Sequence, residues 1–345
     1  MNPERVRAGA GRTAMRSLGE SRALLGESPL WSEDRQTLYW LDLRRPTLHS
    51  WTEDRGEASV PLELQGPLGP LVPTRDPGVA VTTDVTGLHA VDLATGATRR
   101  LGDPFAETPG VHVNDGKTDR TGRLWLGTAD DDESEPIGSL YRVSVEDGRI
   151  SVHEVDSGFA VSNGPSASPD GRTLYFDDSD GERILSYPLG EDGRLGDSAV
   201  FATFDGESPD GCTVDAEGAL WAAFWGGGRV ARFAPDGTQL AEYAVPALHV
   251  SSVTFGGPGL RTLFVTTARK GLTDEQLAEY PGSGGTYAFE PGVAGLPETP
   301  GPPTSPDLPG TFRPRWCAAP YLSGRNVLVR VRGARRRRAA RAPAR

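Results

Sequence analysis

Short apolar runs return along this chain at long, nearly even intervals. They are Leu38-Tyr39-Trp40, Val79-Ala80-Val81, Leu124-Trp125-Leu126, Leu174-Tyr175-Phe176, Leu220-Trp221-Ala222 and Leu263-Phe264-Val265, with first residues 41 to 50 positions apart. Between them, stretches of four to six apolar or alternating residues are broken by Asp-Gly, Pro-Asp-Gly and Gly-Gly, the punctuation of strands and tight turns. A repeat in the forties with several strands per unit predicts the blades of a β-propeller. Six blades in one closed unit account for most of the chain, so the expected fold is an all-β, six-bladed β-propeller. One helix is predicted near Thr273 to Glu279, with Thr273 as N-cap ahead of Asp274 and Glu275.

Counting back ten or eleven residues from four of the apolar runs reaches Glu27, Asn114, Asn163 and Asp210. Each occupies the same place in its blade. Innermost strands set equivalent residues on one ring around the central channel, so four oxygen-bearing side chains converge on one axis. Two carboxylates and two amides surround a hard divalent cation without leaving a large unpaired charge. Taken singly, Asn163-Gly164 and Pro209-Asp210-Gly211 read as turns. Register separates them from ordinary turns, since Asp170 of Pro169-Asp170-Gly171 lies 4 residues before its run whereas Asp210 lies 10 before.

Composition sharpens this picture at the ends. Residues 301–345 carry 11 Arg and one Asp, and residues 1–300 carry 25 basic and 46 acidic residues, so the net charge of −11 conceals a strongly acidic body and a basic tail. The acidic body argues against nucleic acid as main partner and suits a cation site. Residues 1–16 form an expected disordered extension, 17–297 the propeller, and 298–345 a Pro/Arg-rich tail also expected to be disordered. Two cysteines, Cys212 and Cys317, are too few for a disulfide framework. The first sixteen residues lack an apolar core, and no run is long enough to span a bilayer, so no membrane partner and a cytoplasmic location are expected.

The blocks Gly26 to Trp31, Val113 to Thr128 (VNDGKTDRTGRLWLGT), Val161 to Asp178, Ser208 to Trp225 (SPDGCTVDAEGALWAAFW) and Val250 to Ala268 together resemble the senescence-marker-protein/gluconolactonase family, also called regucalcin-like. The resemblance runs from about Gly26 to Pro297. It implies a six-bladed propeller with a divalent cation in the channel, held by Glu27, Asn163 and Asp210, with Asn114 as a cation-site or substrate neighbour. Sugar-lactone members usually carry Arg two residues before that Asn to hold the substrate, where this chain has His112, a titratable group with two nitrogens in place of a permanently charged fork. By offset from Asn114, Asp132 in the run Asp130 to Glu133 is the expected acidic substrate contact.

The resemblance implies a metal-dependent lactonase, in which Asp210 takes a proton from a water activated by the ion and returns it to the leaving alkoxide. The substrate partner is then a small sugar-derived lactone. Calcium is the first choice of cofactor, with Mg, Mn or Zn also accommodated by oxygen ligands and open positions. The alternatives are a cation-binding propeller without catalysis and a hydrolase of other esters or organophosphates, since fold does not establish function. The seven tryptophans are expected to pack between blades, with the channel mouth as an alternative place for Trp225.

Overall fold

In a computed structural model of the chain, residues 15–105, 108–146 and 149–301 are described. They build six four-stranded antiparallel sheets arranged as a propeller. The innermost strands are Gly26–Ser32, Val72–Pro73, Val111–Thr118, Ser162–Ala167, Ser208–Val214 and His249–Gly256. Each of the six apolar runs lies on the second strand of its blade: Thr37–Asp42, Val79–Asp84, Leu124–Asp130, Thr173–Asp178, Leu220–Trp225 and Thr262–Ala268. Those strands are covered on both faces by neighbouring blades, which is why they read as continuous apolar runs. The outermost strands face water, and Gly56–Pro61 and Gln239–Ala244 are correspondingly polar and exposed.

Aromatic rings join the blades. Trp31 of blade one stacks on Phe264 of blade six at 5.5 Å, Phe159 of blade three meets Phe176 of blade four at 5.0 Å, and Trp221 of blade five meets Phe255 of blade six at 5.7 Å. The ring is closed by the start of the chain. Arg16–Ser17 pairs with Tyr287–Phe289 as the outermost strand of blade six, so an edge left open at the last blade is covered. Arg16, expected to belong to a disordered extension, is therefore strand, because pairing satisfies its backbone. The remainder of that extension, residues 1–14, lies outside the described residues.

At the other end the chain is held beyond Pro297. Thr118 Oγ1 donates to the Thr299 carbonyl (2.5 Å) and Gly301 N–H to the Pro73 carbonyl (2.8 Å). Lys117 lies 3.7 Å from Glu298. Residues 298–301, expected in the disordered tail, thus pack on blades two and three, while 302–345 and Cys317 lie outside the described residues. The predicted helix is Asp274–Glu279, capped by Thr273 in a capping box with Gln276. Among the described residues no helix is long and apolar enough to cross a membrane.

Two buried aspartates pin the turn between first and second strands. Asp215 accepts the backbone N–H of Glu217 and Ala219, Trp221 Nε1–H at 2.9 Å and the Arg232 guanidinium at 2.7 Å. Asp119 does the same in blade three, with Thr121, Arg123 and Trp125 as donors. Asp215→Ala leaves Trp221 Nε1–H without its acceptor and Arg232 with Glu217 alone, and is expected to lower stability by about 1–3 kcal/mol, read by urea denaturation.

Candidate functional site

Five of the six innermost strands carry a bulge at the same level. Register against the second strand slips between Glu27 and Leu30, Val113 and Asp115, Asn163 and Ser166, Pro209 and Cys212, and Val250 and Ser252. A bulge leaves a residue unpaired and re-aims its side chain. Asn114 and Asp210 fall in these unpaired gaps, Glu27 and Asn163 are the last paired residues before theirs, and all four line one cavity of about 210 Å³. Leu25, Leu43, Val161, Pro209 and Trp225 supply its apolar wall. The glycine of Asn163-Gly164 answers to crowding near the axis: at φ +50°, a Cβ there would stand 2.5 Å from Asp177 Oδ2 and 2.9 Å from Cys212 Sγ.

Glu27, Asn163 and Asp210 are each only 6 % exposed. A chain of donors fixes the Asn163 amide. Ser179 Oγ donates its only proton to the Pro209 carbonyl (2.6 Å), so it accepts from Asn163 Nδ2 (2.9 Å), and Asn163 Oδ1 is left as the available acceptor. Asn114 Nδ2 donates to that Oδ1 (2.8 Å) and to the Ser162 carbonyl (3.0 Å), which orients its own oxygen away from them. Ser28 N–H donates to Glu27 Oε2 at 2.7 Å, and Ser28 sits at φ +53°, a left-handed conformation that is costly for a non-glycine residue.

Beneath this ring lie two more acids. Asp115 accepts from Gly116 N–H (2.7 Å) and Gly164 N–H (2.8 Å), tying blade three to blade four. Asp177 is fully buried, and neither of its carboxylate oxygens has a hydrogen-bond partner among the described residues. Burial drives the Asp177 carboxyl well above its ordinary range, an effect that the neighbouring Cys212 thiol offsets only in part. Glu27 is raised well above its ordinary range by burial and then by repulsion from Asp210 and Asp115. Burial also raises Asp210 strongly, with repulsion from Asp115 and Asp177 added.

Positive charge reaches this cluster only from a distance, Lys117 acting on Asp115 and Asp177 and Lys270 on Asp210. The chain has two lysines, Lys117 and Lys270. Lys117 donates to the Cys212 carbonyl (2.9 Å) and pairs with Glu298, and Lys270 pairs with Glu133. Among the described residues no Lys, Arg or His nitrogen forms an ion pair with Glu27, Asp115, Asp177 or Asp210. The donor set therefore fits a hard dication: two carboxylates whose repulsion it would relieve and an amide lining the same cavity. No three His, Cys, Asp or Glu side chains among the described residues are grouped to hold a metal by themselves.

Two of the expected substrate contacts are not on the cavity wall. The bulge at Asn114 breaks the strand alternation that would have set His112 beside it. His112 is instead buried near Arg44 and Glu133, with Nδ1 3.2 Å from Asp131 Oδ1, and burial lowers its pKa. Asp132 is exposed to solvent. Asp130 caps the following turn by accepting from Ser134 N–H and Glu135 N–H, both at 2.9 Å, and Glu133 adopts φ +54°. That turn carries Glu133, one residue further on, to the cavity. Lys270, missed by sequence reasoning because it matches no repeat position, lines the same rim. Trp225 lines the cavity and stacks on His249 at 4.1 Å.

Residues 25–269 match the family model described as the SMP-30/Gluconolactonase/LRE-like region. The 6-deoxy-6-sulfogluconolactonase of Pseudomonas putida is 36 % identical over 283 residues, covering 80 % of this chain and 94 % of that protein. The L-arabinolactonase of Azospirillum brasilense is 33 % identical over 285 residues, covering 81 % and 92 % respectively. Among solved structures, a calcium-binding regucalcin from Agrobacterium tumefaciens superposes with a TM-score of 0.75 at 30 % identity, covering 84 % of this chain and 97 % of its own.

Proposed function

This chain belongs to the SMP-30/gluconolactonase/LRE-like family, and on that premise we propose that it is a metal-dependent hydrolase opening the ring ester of a sugar-derived lactone. The observation that carries the proposal is the convergence of Glu27, Asn163 and Asp210, buried and with no ion pair to a cationic side chain, on one substrate-sized cavity. Relatives named for lactone hydrolysis and a neighbour described as calcium-binding support it.

Glu27 Oε, Asn163 Oδ1 and Asp210 Oδ would hold the dication, calcium by preference, whose Lewis acidity favours attack on the ester carbonyl. Asp210 is the general base. One of its oxygens takes the proton of the attacking water as the new C–O bond forms, and it returns that proton to the ring oxygen as the ring C–O bond breaks, giving the hydroxy acid. The Asn114 amide oxygen, free of the contacts made by its nitrogen, accepts from a substrate hydroxyl. Trp225 and the aliphatic wall cover the ring's apolar face and thin the water around the ester. The location proposed for this enzyme is the cytoplasm.

The test is hydrolysis of aldonolactones and simple γ- and δ-lactones by chelator-stripped protein, followed by proton release, before and after adding back Ca, Mg, Mn or Zn. Restored turnover of one lactone class is the expected result. Tight cation binding with no turnover across the panel would overturn the lactonase reading in favour of a binding propeller.

A further inference from the structure

We propose that Lys270, backed by Arg44, binds an anionic group carried by the lactone at the end remote from the ester, so that the preferred substrate is a sugar lactone bearing a carboxylate or sulfonate. This inference rests on the lactonase reading above and deepens it. The chain places Arg at 34 positions and Lys at two, and one of the two lysines stands on the rim of the candidate site.

Within the half-buried part of the rim, positive groups outnumber negative ones. Arg44 Nη2 (3.0 Å) and Lys270 Nζ both contact the same oxygen, Oε1, of Glu133. Two cations therefore share one carboxylate, and one positive charge is left over. Glu133 is held there by a left-handed backbone at φ +54° within the turn capped by Asp130, an arrangement that costs energy and is found where a ligand clamp must be fixed. Lys270 offers three N–H donors, of which Glu133 takes one. Its ammonium also stands 6.0 Å from the centre of the Trp225 ring. Trp225 lies flat on His249, whose Nδ1 accepts the Gly226 N–H (3.1 Å), so this imidazole brings no negative charge to neutralise the lysine. Arg44 Nε is buried with no partner, one more donor in want of an acceptor. The other carboxylate of the rim, Asp180, offsets that excess in the formal count, but it is exposed to solvent, where water and salt screen it more than they screen the half-buried trio. Once a dication balances Glu27 and Asp210 on the cavity floor, the rim's surplus is the charge that a substrate meets. A compact ammonium is suited to this role, since it can swing between Glu133 and a ligand oxygen, whereas a guanidinium fork is geometrically committed.

The experiment compares glucono-1,5-lactone with the same ring bearing a sulfonate or a carboxylate at C6, using the calcium-loaded full-length protein. The charged lactones are expected to exceed the neutral one in kcat/KM by on the order of tenfold or more, the preference shrinking as salt is raised. Lys270→Gln should raise KM for the charged lactones far more than for the neutral one and bring the ratio to about one. Lys270→Arg, which keeps the charge, should preserve a preference, and thermal unfolding checks that both variants are folded. The two charged rings separate sulfonate from carboxylate as the natural group. An unchanged ratio in Lys270→Gln, or no preference in the parent protein, overturns the proposal. Calorimetry with gluconate and 6-deoxy-6-sulfogluconate reads the same contact without turnover. If no lactone is hydrolysed, the lactonase reading falls, and tighter binding of the sulfo acid that is lost in Lys270→Gln would still uphold the anion site, while equal binding would overturn it.

Discussion

Asp210→Asn is expected to lower kcat for lactone hydrolysis by on the order of 10²–10⁴ at saturating calcium, and at the same time to make the cation-free protein more stable. The two effects have one origin. Asp210 is buried beside Glu27, Asp115 and Asp177, and its carboxyl is raised well above the usual range by burial and by repulsion from Asp115 and Asp177. Asn keeps the shape and can still present an oxygen to a cation, but it cannot take a proton from water. It also removes a group whose charged form is disfavoured in the fold, so the unfolding transition of the chelated protein at neutral pH should move up. Steady-state rates and thermal denaturation on the same preparations check both halves. Turnover within a few-fold of the parent would remove Asp210 from its role as base. A fall in stability would mean that its carboxylate makes favourable contacts that the geometry does not show.

Glu27→Gln provides the contrast. Glu27 has no proton to move in the proposed reaction, so its loss should appear as weaker calcium binding, with much of kcat recovered when calcium is raised. A pair of variants that failed in the same way would mean that the two residues act only as ligands.

The blades were legible in the sequence because the second strand of each is sandwiched between neighbours and must be apolar on both faces. Equivalence around the ring was legible for the same reason, as fixed spacing along strands translates into fixed height in the channel. Asn163-Gly164 and Asp210-Gly211 look locally like turns, and the structure shows why: each marks a bulge, where the chain leaves extended pairing without leaving the strand. What could not be read is what depends on how loops fold back. Asp132 and Glu133 differ by one residue, and a turn capped by Asp130 decides which reaches the rim. His112 and Asn114 would share a face on an ideal strand, and the bulge separates them. Lys270 comes to the rim from blade six to meet Arg44 of blade one and Glu133 of blade three, a meeting that exists only in the closed ring. Asp177 lies within the block Val161 to Asp178, where nothing sets it apart from Asp178, and only the structure shows it buried against the other acids.

Calcium affinity is expected to climb steeply with pH. In the cation-free protein the Glu27 and Asp210 carboxyls are both raised above their unperturbed values, so over the window between those ordinary acid values and the raised ones they hold protons that calcium must displace. Each proton released on binding contributes about a tenfold gain in affinity per pH unit, so that up to about a hundredfold per unit is reached where both are displaced. The sign for stability is opposite. A carboxyl raised in the fold favours the folded state while it is protonated, and that contribution disappears as pH rises through the raised value. The cation-free protein should therefore lose stability toward alkaline pH while the calcium-loaded protein does not, since at a calcium concentration 100 times Kd binding adds about 2.7 kcal/mol. Denaturation of chelated and calcium-saturated protein across a pH series gives two curves that should diverge as pH rises. Parallel curves would mean that the acids of the channel are already ionised without calcium, and that their mutual repulsion is relieved by some contact other than the cation.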